Sequence, residues 1–190
     1  MTLSDDRLWA PWRLEYVTGA EAAERVEPPE PVAWQSGADP KCFLCRAAAT
    51  YEDAGKVDRL LHVVARGSRT MVLLNRYPYS NGHLMVAPLR HLAQLGEMSP
   101  DEHLECMESL TRFTQLLSTL LRAEGFNIGL NLNRVAGAGC PGHLHWHIVP
   151  RWSGDSNFMT VLAGTRVIPQ SLDALWELLT DSLKANPTGN

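Results

Sequence analysis

The sequence has few cysteines, four in 190 residues, and no long uninterrupted apolar run. Four unevenly spaced cysteines do not make a disulfide framework, so we expect thiols or metal ligands in a reducing compartment. No apolar segment approaches the length of a membrane span, and the first residues lack the basic-then-apolar pattern of a signal peptide. We therefore expect a soluble cytoplasmic protein with no membrane partner.

The sequence also lacks an excess of positive charge. It has 17 lysines and arginines against 21 aspartates and glutamates, a net charge of -4. That balance provides no overall basic field for nucleic acid, although a local cationic pocket remains possible. We expect no nucleic-acid partner and predict that any anionic ligand is small. The length suits one domain with appendages, and the 45% hydrophobic content is enough for a core.

Composition divides the chain into three parts. Residues 1–41 begin with an aromatic and basic stretch and continue with one rich in Glu, Pro and Ala, which indicates an N-terminal arm and a linker. Residues 42–170 hold the compact domain. Residues 171–190 supply a C-terminal helix and tail that pack on that domain. The apolar face of this helix consists of Leu172, Leu175, Trp176, Leu179 and Leu183.

Strand patterns recur through the compact part. Residues 69–75 and 83–88 are short apolar runs separated by turn formers, so we expect adjacent antiparallel strands. Residues 126–133 alternate like a strand, and residues 134–142 form a glycine-rich loop. Further strands are predicted at the histidine run that follows and near residues 159–162.

One long helix is predicted between these strands. Ser99 to Glu102 reads as a capping box with Pro100 at the first helical position, and the helical pattern continues until Gly125. Its apolar positions are Leu104, Met107, Leu110, Phe113, Leu117 and Leu121. Together the elements predict an α+β fold, a mainly antiparallel sheet with helices on one face.

Three of the seven histidines, His143, His145 and His147, stand at every second position. On a strand they share one face, with the intervening apolar residues directed to the core. At roughly 3.3 Å per residue, His143 and His147 are about 13 Å apart, which disfavours one ion held by all three. A row of imidazoles beside a loop of small residues remains, and solvated strand decoration is the alternative.

Such a row suits chemistry at phosphorus. A neutral imidazole, with a reference pKa of about 6.5, attacks without an added base. If one ring nitrogen of His145 donates to a backbone carbonyl, the other is fixed as the nucleophile. His147 could then bind or protonate phosphate oxygens. Backbone N–H groups of the glycine-rich loop could approach an anion closely.

The run HLHWHIV resembles the motif of the histidine triad superfamily, His-x-His-x-His followed by two apolar residues, at every position. The similarity extends through VLLNRYPYSNGHLMVAPLRH, GFNIGLNLN and PRWSGDSNF, about residues 42–170. These flanking segments look most like the bacterial branch that resembles diadenosine tetraphosphate phosphorylase and the dinucleoside polyphosphate hydrolases. LWAPWRLEY near the start is similar to that branch too.

The resemblance implies a two-step transfer without an organic cofactor. His145 attacks the α-phosphorus of a nucleotide or dinucleoside polyphosphate, and the nucleotidyl-histidine passes its group to water or phosphate. The resemblance also implies a homodimer with a shared sheet. It implies that Asn75 binds ribose and that His83 stands at the start of the second strand. We include His83 in the predicted nucleotide site. Asn131 and Asn133 are candidates for ribose or phosphate contact, with capping or edge roles as the alternative.

One departure concerns the acceptor. Hydrolases of the superfamily commonly carry Gln and then Ser or Thr four and three positions before the first histidine, where this chain has Gly139 and Cys140. Both residues lie in the predicted nucleotide site. The missing amide and hydroxyl put hydrolysis in doubt and leave transfer to phosphate more open.

Cys42 and Cys45 form a Cys-x-x-Cys pair, a spacing suited to two thiolates on one tetrahedral ion. In the metal-bearing branch of the superfamily the other ligands match His91 and His143 here. The resemblance therefore implies a structural zinc site. His143 is predicted as a catalytic residue together with His145 and His147, but if zinc is bound it is a ligand and cannot also contact phosphate. The alternative is a pair of buried thiols with His91 at the surface.

Other residues have a plainer interpretation. Cys106 is expected to pack in the core, and His62 and His103, without partners suggested by spacing, at the surface. Two further functions compete with the enzyme: a nucleotide-binding sensor or scaffold without turnover, and a zinc hydrolase that uses the histidines as ligands. The second lacks an acidic residue inside the run to act as general base.

Overall fold

The computed structural model describes residues 28–155 and 170–186. The predicted strand near residues 159–162 and most of the N-terminal arm lie outside these residues. The described elements are α1 (Phe43–Ala48), α2 (Ala54–Leu60), β1 (Val63–Arg66), β2 (Thr70–Leu74), β3 (Leu84–Pro88), α3 (Pro100–Leu121), β4 (Gly125–Leu130), β5 (Trp146–Arg151) and α4 (Leu172–Ala185), with short 3-10 turns at Leu95–Glu97 and Arg134–Ala136. None of the helices in the described ranges is both long enough and apolar enough to span a bilayer.

The five strands form one antiparallel sheet in the order β1-β2-β3-β5-β4. The two predicted neighbouring strands are β2 and β3, in which Met71 lies opposite Ala87. The α+β prediction is confirmed. Strand β1 and helices α1 and α2 were not predicted, because elements of four to seven residues carry too little periodicity to recognise.

Helices cover both faces of this sheet, so the prediction of helices on one face is wrong. One core lies between the sheet and the helices α3 and α4, and it includes Val72, Leu74, Leu84, Val86, Cys106, Leu110, Phe113, Leu117, Leu144, Trp146, Ile148, Leu175 and Leu179. The second core lies under α1 and consists of Cys42, Leu44, Cys45, Ala47, Ala48, Val63, Met71, Leu73, Met85 and Ala87. The layer under α1 is small because the helix is only six residues long.

Helix α3 begins at the predicted capping box and ends at Leu121, where Arg122 takes a left-handed conformation with φ 53°. Its predicted apolar face is partly wrong, because Leu104 and Met107 are exposed. The buried stripe instead runs through Glu102, Cys106, Leu110, Phe113 and Leu117. At 100° per residue, Leu104 lies about 160° around the helix from Glu102 and from Cys106. Packing of Cys106 in the core is confirmed.

Glu102 is the charged member of the stripe and only 4% exposed. Its carboxylate accepts hydrogen bonds from Arg90 at 2.7 and 2.8 Å and from the Ser99 N–H at 2.7 Å. The Arg90 guanidinium, as the main cause, lowers the pKa of Glu102 from 4.5 to about 2. A carboxyl whose folded pKa is lowered stabilises the fold above its unfolded pKa, and this contribution fades as the pH falls from about 4.5 to about 2.

We therefore expect Glu102→Gln to lower the free energy of unfolding by about 2 kcal/mol at pH 7, through the loss of charge-assisted hydrogen bonds. At pH 3 the difference between the variant and the native chain should shrink. Urea unfolding at both pH values measures this. Glu108→Gln, on the exposed side of the same helix, is the control. An equal loss of stability by the Glu102 variant at pH 7 and pH 3 would contradict the assignment.

Candidate active site and metal centre

Strand β5 begins at Trp146, so His147 alone of the three histidines lies on a strand. The prediction that one strand contains all three is wrong. In the β3–β5 register, Val86 pairs with Trp146, which places Leu144 at the level of Pro88. Proline has no N–H to continue a ladder. The Leu144 N–H instead donates to the carbonyl of Leu92 at 2.7 Å.

The alternation of side chains survives this early end of the strand. Leu144, Trp146 and Ile148 enter the core beneath α3. His143 and His145 are buried, 1% and 5% exposed, and the rings of His145 and His147 lie 5.0 Å apart. Buried histidines are not solvated decoration, which excludes that alternative for the first two members of the run.

His145 is held in one tautomer by the backbone. Its Nδ1 lies 2.8 Å from the carbonyl oxygen of His143, and since a carbonyl accepts only, Nδ1 carries the proton. In the neutral ring the lone pair is then on Nε2. Burial lowers the pKa of His145, which favours this neutral form. The side chain lines a pocket of about 450 Å³.

His147 is oriented by a second histidine. The Tyr79 N–H donates to Nδ1 of His83 at 3.0 Å, so the neutral His83 ring carries its proton on Nε2. Nε2 of His83 donates to Nδ1 of His147, 3.0 Å away, while the Asn75 Nδ2, itself a donor, lies 3.4 Å from the same His83 nitrogen. A His147 ring that accepts at Nδ1 carries its own proton on Nε2. The chain of hydrogen bonds therefore sets the tautomer of His147 from the backbone of Tyr79.

His83, a predicted nucleotide contact, is buried beside His147. The ring is 1% exposed and lies behind His147, outside the set of residues that line the pocket. Its neighbours are other rings: Tyr79 at 4.7 Å and His147 at 5.1 Å between centroids. The burial of His83 was not predictable from the sequence, because it depends on the pairing of β3 with β5. His83 therefore contacts His147 and lies outside the pocket wall.

The pocket crosses the α1 face of the sheet. His145 and His147 line one end together with Gly137 and Gly139 of the glycine-rich loop. The rest of the wall consists of Pro28, Pro40, Lys41, Phe43, Arg46, Ala47, Leu60, Leu61, His62, Leu73, Leu74, Asn75, Arg76, Tyr77, Tyr79 and Met85. Asn75 and Gly139, two of the predicted nucleotide contacts, both line this pocket. The lysine and two arginines make the local cationic pocket that the net charge left open.

Three other predicted nucleotide contacts are not among the residues that line the pocket: Asn131, Asn133 and Cys140. Strand β4 ends at Leu130, so Asn131 and Asn133 do not alternate on it as expected. The Asn131 amide donates to the carbonyl of Gly137 at 3.5 Å, and the carbonyl of Asn133 accepts from Ala136 and Ala138. Both asparagines therefore support the glycine-rich loop. Cys140 directs its Sγ to that of Cys42, 3.5 Å away, rather than into the pocket.

The four predicted metal ligands meet in one cluster. The ligand atoms of Cys42, Cys45, His91 and His143 all lie within 4.8 Å of one another. Nδ1 of His143 is 3.5 Å from each sulfur, and Nδ1 of His91 is 3.1 Å from that of Cys45. Zinc–ligand bonds of 2.0–2.3 Å in a tetrahedron place neighbouring ligand atoms about 3.3–3.8 Å apart. The observed separations are close to that range, so the residues fit a tetrahedral ion.

The surroundings of the cluster also fit a cation. Nε2 of His143 lies 2.9 Å from the carbonyl of Pro88 and donates to it, which leaves Nδ1 as the lone-pair atom toward the sulfurs. The Asp39 N–H donates to the sulfur of Cys45 at 3.4 Å. A hydrogen bond from Cys140 lowers the pKa of the Cys42 thiol, whereas burial raises the pKa of the Cys45 thiol to about 12. Of the three histidines in the run, His143 alone belongs to this cluster, so the cluster is not a three-histidine cage.

Several pocket residues were missed from the sequence. Lys41, Phe43 and Arg46 flank or lie on α1, which was not predicted, and His62 was expected at the surface without a partner. His62 is half-buried and contacts Asp173 at 3.1 Å, while His103 contacts the carbonyl of Leu95 at 3.1 Å. Arg76 had a usable signal, since it directly follows Asn75 at the end of a predicted strand.

Comparison with known proteins identifies this arrangement. A family model described as the HIT domain matches residues 61–154. AP-4-A phosphorylase of Mycobacterium tuberculosis is 37% identical over 181 residues, which is 95% of this chain and 86% of that protein. This chain belongs to the histidine triad (HIT) family. The family predicted from HLHWHIV and its flanks is confirmed.

Other members of the HIT family are also similar to this chain. The bis(5'-nucleosyl)-tetraphosphatase [asymmetrical] of Schizosaccharomyces pombe is 30% identical over 93 residues, covering 49% of this HIT chain and 50% of that protein. A crystal structure of a Zn-bound histidine triad family protein from Mycobacterium smegmatis superposes with a TM-score of 0.55 at 24% identity. It covers 67% of this chain and 87% of its own. That likeness establishes the shared HIT fold.

Proposed function

We propose that this HIT protein is an enzyme that cleaves dinucleoside polyphosphates through a nucleotidyl-histidine on His145. The observation that carries the proposal is the hydrogen bond from His145 Nδ1 to the His143 carbonyl, 2.8 Å, beside a pocket that the same ring lines. It leaves Nε2 as a lone-pair nucleophile in a fixed orientation. Relatives named as a phosphorylase and a tetraphosphatase support this class of reaction.

In the first step, the Nε2 lone pair of His145 forms a bond to the α-phosphorus. The bond from that phosphorus to the bridging oxygen breaks, and the oxygen keeps the electron pair. His147 carries a proton on Nε2 by the tautomer argument above, and this N–H donates a hydrogen bond to the departing oxygen, which leaves as the phosphate anion. His83 keeps that proton on the correct nitrogen by donating its own Nε2–H to Nδ1 of His147.

In the second step, an acceptor attacks the nucleotidyl-histidine and releases His145. We propose inorganic phosphate as the acceptor. The 37% identical relative is named as a phosphorylase, and Gly139 and Cys140 stand where hydrolases of the family commonly carry an amide and a hydroxyl. Gly139 leaves backbone rather than side chain at the pocket wall. Lys41, Arg46 and Arg76 supply positive charge for a second anion.

The test is to incubate the purified chain with diadenosine tetraphosphate, with and without inorganic phosphate, and to separate the nucleotides. We expect ADP and ATP only in the presence of phosphate. AMP and ATP without phosphate would replace phosphate by water as the acceptor. No turnover under either condition would contradict the enzyme and favour the nucleotide-binding sensor.

We also propose that the four-residue cluster holds a structural zinc ion. When bound, the ion would keep the two cysteines as thiolates and link α1 to the segment before β5. Cys42 and Cys45 come from the start of α1, His91 from the segment after β3, and His143 from the segment before β5. The cluster would therefore fix the carbonyl of His143, which orients the nucleophile.

The wider organisation is proposed on the same basis. Residues 42–170 would form the HIT domain, with residues 1–41 as an arm and residues 171–190 packed on the domain. Strand β4 is at the edge of the sheet and leaves Ile128 48% exposed. An apolar edge strand favours pairing with a second copy, so we propose a homodimer in the cytoplasm. A monomer in sedimentation equilibrium would contradict that part.

A further inference from the structure

The pocket follows the order of the strands. His145 and His147 lie at β5, Met85 is on β3, Asn75 follows β2, and His62 immediately precedes β1. With strands about 4.8 Å apart, the path from β5 to β1 is roughly 14 Å long. If the α-phosphorus lies at His145 and the ribose at Asn75, the nucleobase extends beyond Asn75 toward His62. This placement rests on the proposed function.

His62 is held firmly at that end of the pocket. Its φ is 54°, a left-handed conformation that lets the chain turn from α2 directly into β1. Its N–H donates to the carbonyl of Arg59 at 3.2 Å, and its carbonyl accepts from the Leu74 N–H at 3.0 Å. A non-glycine residue in this conformation costs free energy, and such positions cluster at functional sites.

The ring of His62 is oriented by helix α4. Its Nε2 lies 3.1 Å from Oδ1 of Asp173, in the first turn of that helix. A carboxylate accepts only, so Nε2 carries the proton and Nδ1 of the neutral ring is an acceptor. The helix is itself fixed, because the Trp176 indole donates to the carbonyl of Val63 at 2.8 Å and Arg59 pairs with Glu177.

We propose that His62 is a specificity-determining residue that recognises the nucleobase. Its Nδ1 accepts a hydrogen bond from an exocyclic amino group, such as that of adenine, and faces an unfavourable second acceptor when a carbonyl stands at that place, as in hypoxanthine. Asp173 is the positioning residue: it binds Nε2–H and so, in the neutral ring, leaves the lone pair on Nδ1. The neighbouring Leu60 and Leu61 line the pocket and supply apolar contact for the face of the base.

The experiment compares diadenosine tetraphosphate with its diinosine analogue, in which a carbonyl replaces the amino group of each base. For the native chain we expect kcat/KM to favour the adenine substrate about tenfold or more, since a mismatched polar group in a pocket is strongly rejected. In His62→Gly the ratio should fall close to one. Glycine is chosen because it accepts the left-handed conformation without strain. Asp173→Ala should also lower the ratio.

His103→Ala is the matched control, since this histidine is half-buried, contacts a backbone carbonyl and does not line the pocket. It should retain the native ratio. If His62 has a purely structural role, His62→Gly will lower kcat/KM for both substrates and leave their ratio unchanged, which would overturn the inference. A native chain that does not prefer the adenine substrate would overturn it too. If the native chain turns over neither substrate, the proposed function fails. Titration with AMP and IMP then decides the role of His62 by the same ratio of affinities.

Discussion

Replacing His145 with alanine is expected to lower kcat for cleavage of diadenosine tetraphosphate by about 10³-fold or more. The side chain is the only proposed nucleophile, and removing a nucleophile eliminates the covalent route rather than weakening it. The pocket wall is otherwise intact in this variant, so binding of AMP should change by less than about threefold. Steady-state kinetics with phosphate present and a titration with AMP measure the two effects.

Two further measurements make this result specific to a covalent intermediate. Brief incubation with substrate labelled at the α-phosphorus should leave label on the native chain after denaturation and none on His145→Ala. The variant His145→Gly should recover part of its activity when imidazole is added, because a free ring can occupy the vacated space. A His145→Ala enzyme with more than about a tenth of native kcat would show that the nucleophile lies elsewhere.

His147→Ala should behave differently from His145→Ala. Because the His147 N–H donates a hydrogen bond to a departing oxygen and stabilises its charge, its loss should matter most for substrates with a poor leaving group. A His83→Ala variant should show the same dependence on the leaving group, because His83 does not line the pocket and contacts His147.

The features of the site that could be predicted from the sequence are those that depend on residues close together in the chain. The alternation of the histidines predicted that their side chains lie on one face. A short cysteine spacing and a family resemblance predicted the four metal ligands Cys42, Cys45, His91 and His143. Helix α3 was predictable because a capping box and 22 residues of amphipathic pattern act together. These features need no knowledge of which strands are neighbours.

The features that could not be predicted depend on tertiary neighbours. The end of strand pairing before Trp146 depends on Pro88 lying at the level of Leu144, which is a property of the β3–β5 register. The burial of His83 depends on the same pair of strands. The contact between His62 and Asp173 joins residues 111 positions apart, and no spacing rule reports it. Cys140 turns to Cys42 across 98 positions for the same reason.

The metal cluster provides the second large expected effect. Cys45 is fully buried, and its sulfur contacts both histidines of the cluster. We expect the native chain to contain about one zinc ion and Cys45→Ala to contain almost none. A structural zinc contributes several kcal/mol to folding, so the Tm of the variant should fall by on the order of 10 °C. Metal analysis of the purified proteins and thermal unfolding measure these quantities.

Cys106→Ala is the matched control, because this thiol is equally buried but lies beneath α3, away from the cluster. Its loss removes a small volume from the core, so a modest Tm decrease with unchanged metal content is expected. Equal Tm decreases in the two variants and no metal in the native chain would contradict the zinc site.

His91→Ala separates the stability of the cluster from its effect on the reaction. His91 is a proposed ligand that does not line the pocket, whereas His143 both joins the cluster and offers its carbonyl to His145 at 2.8 Å. If the ion fixes that carbonyl, His91→Ala should lower kcat together with metal content, and KM should change little. Restoration of zinc at high concentration should then restore kcat. A metal-free His91→Ala enzyme with native kcat would show that the hydrogen bonds of His143 to Pro88 and His145 orient the nucleophile without the ion.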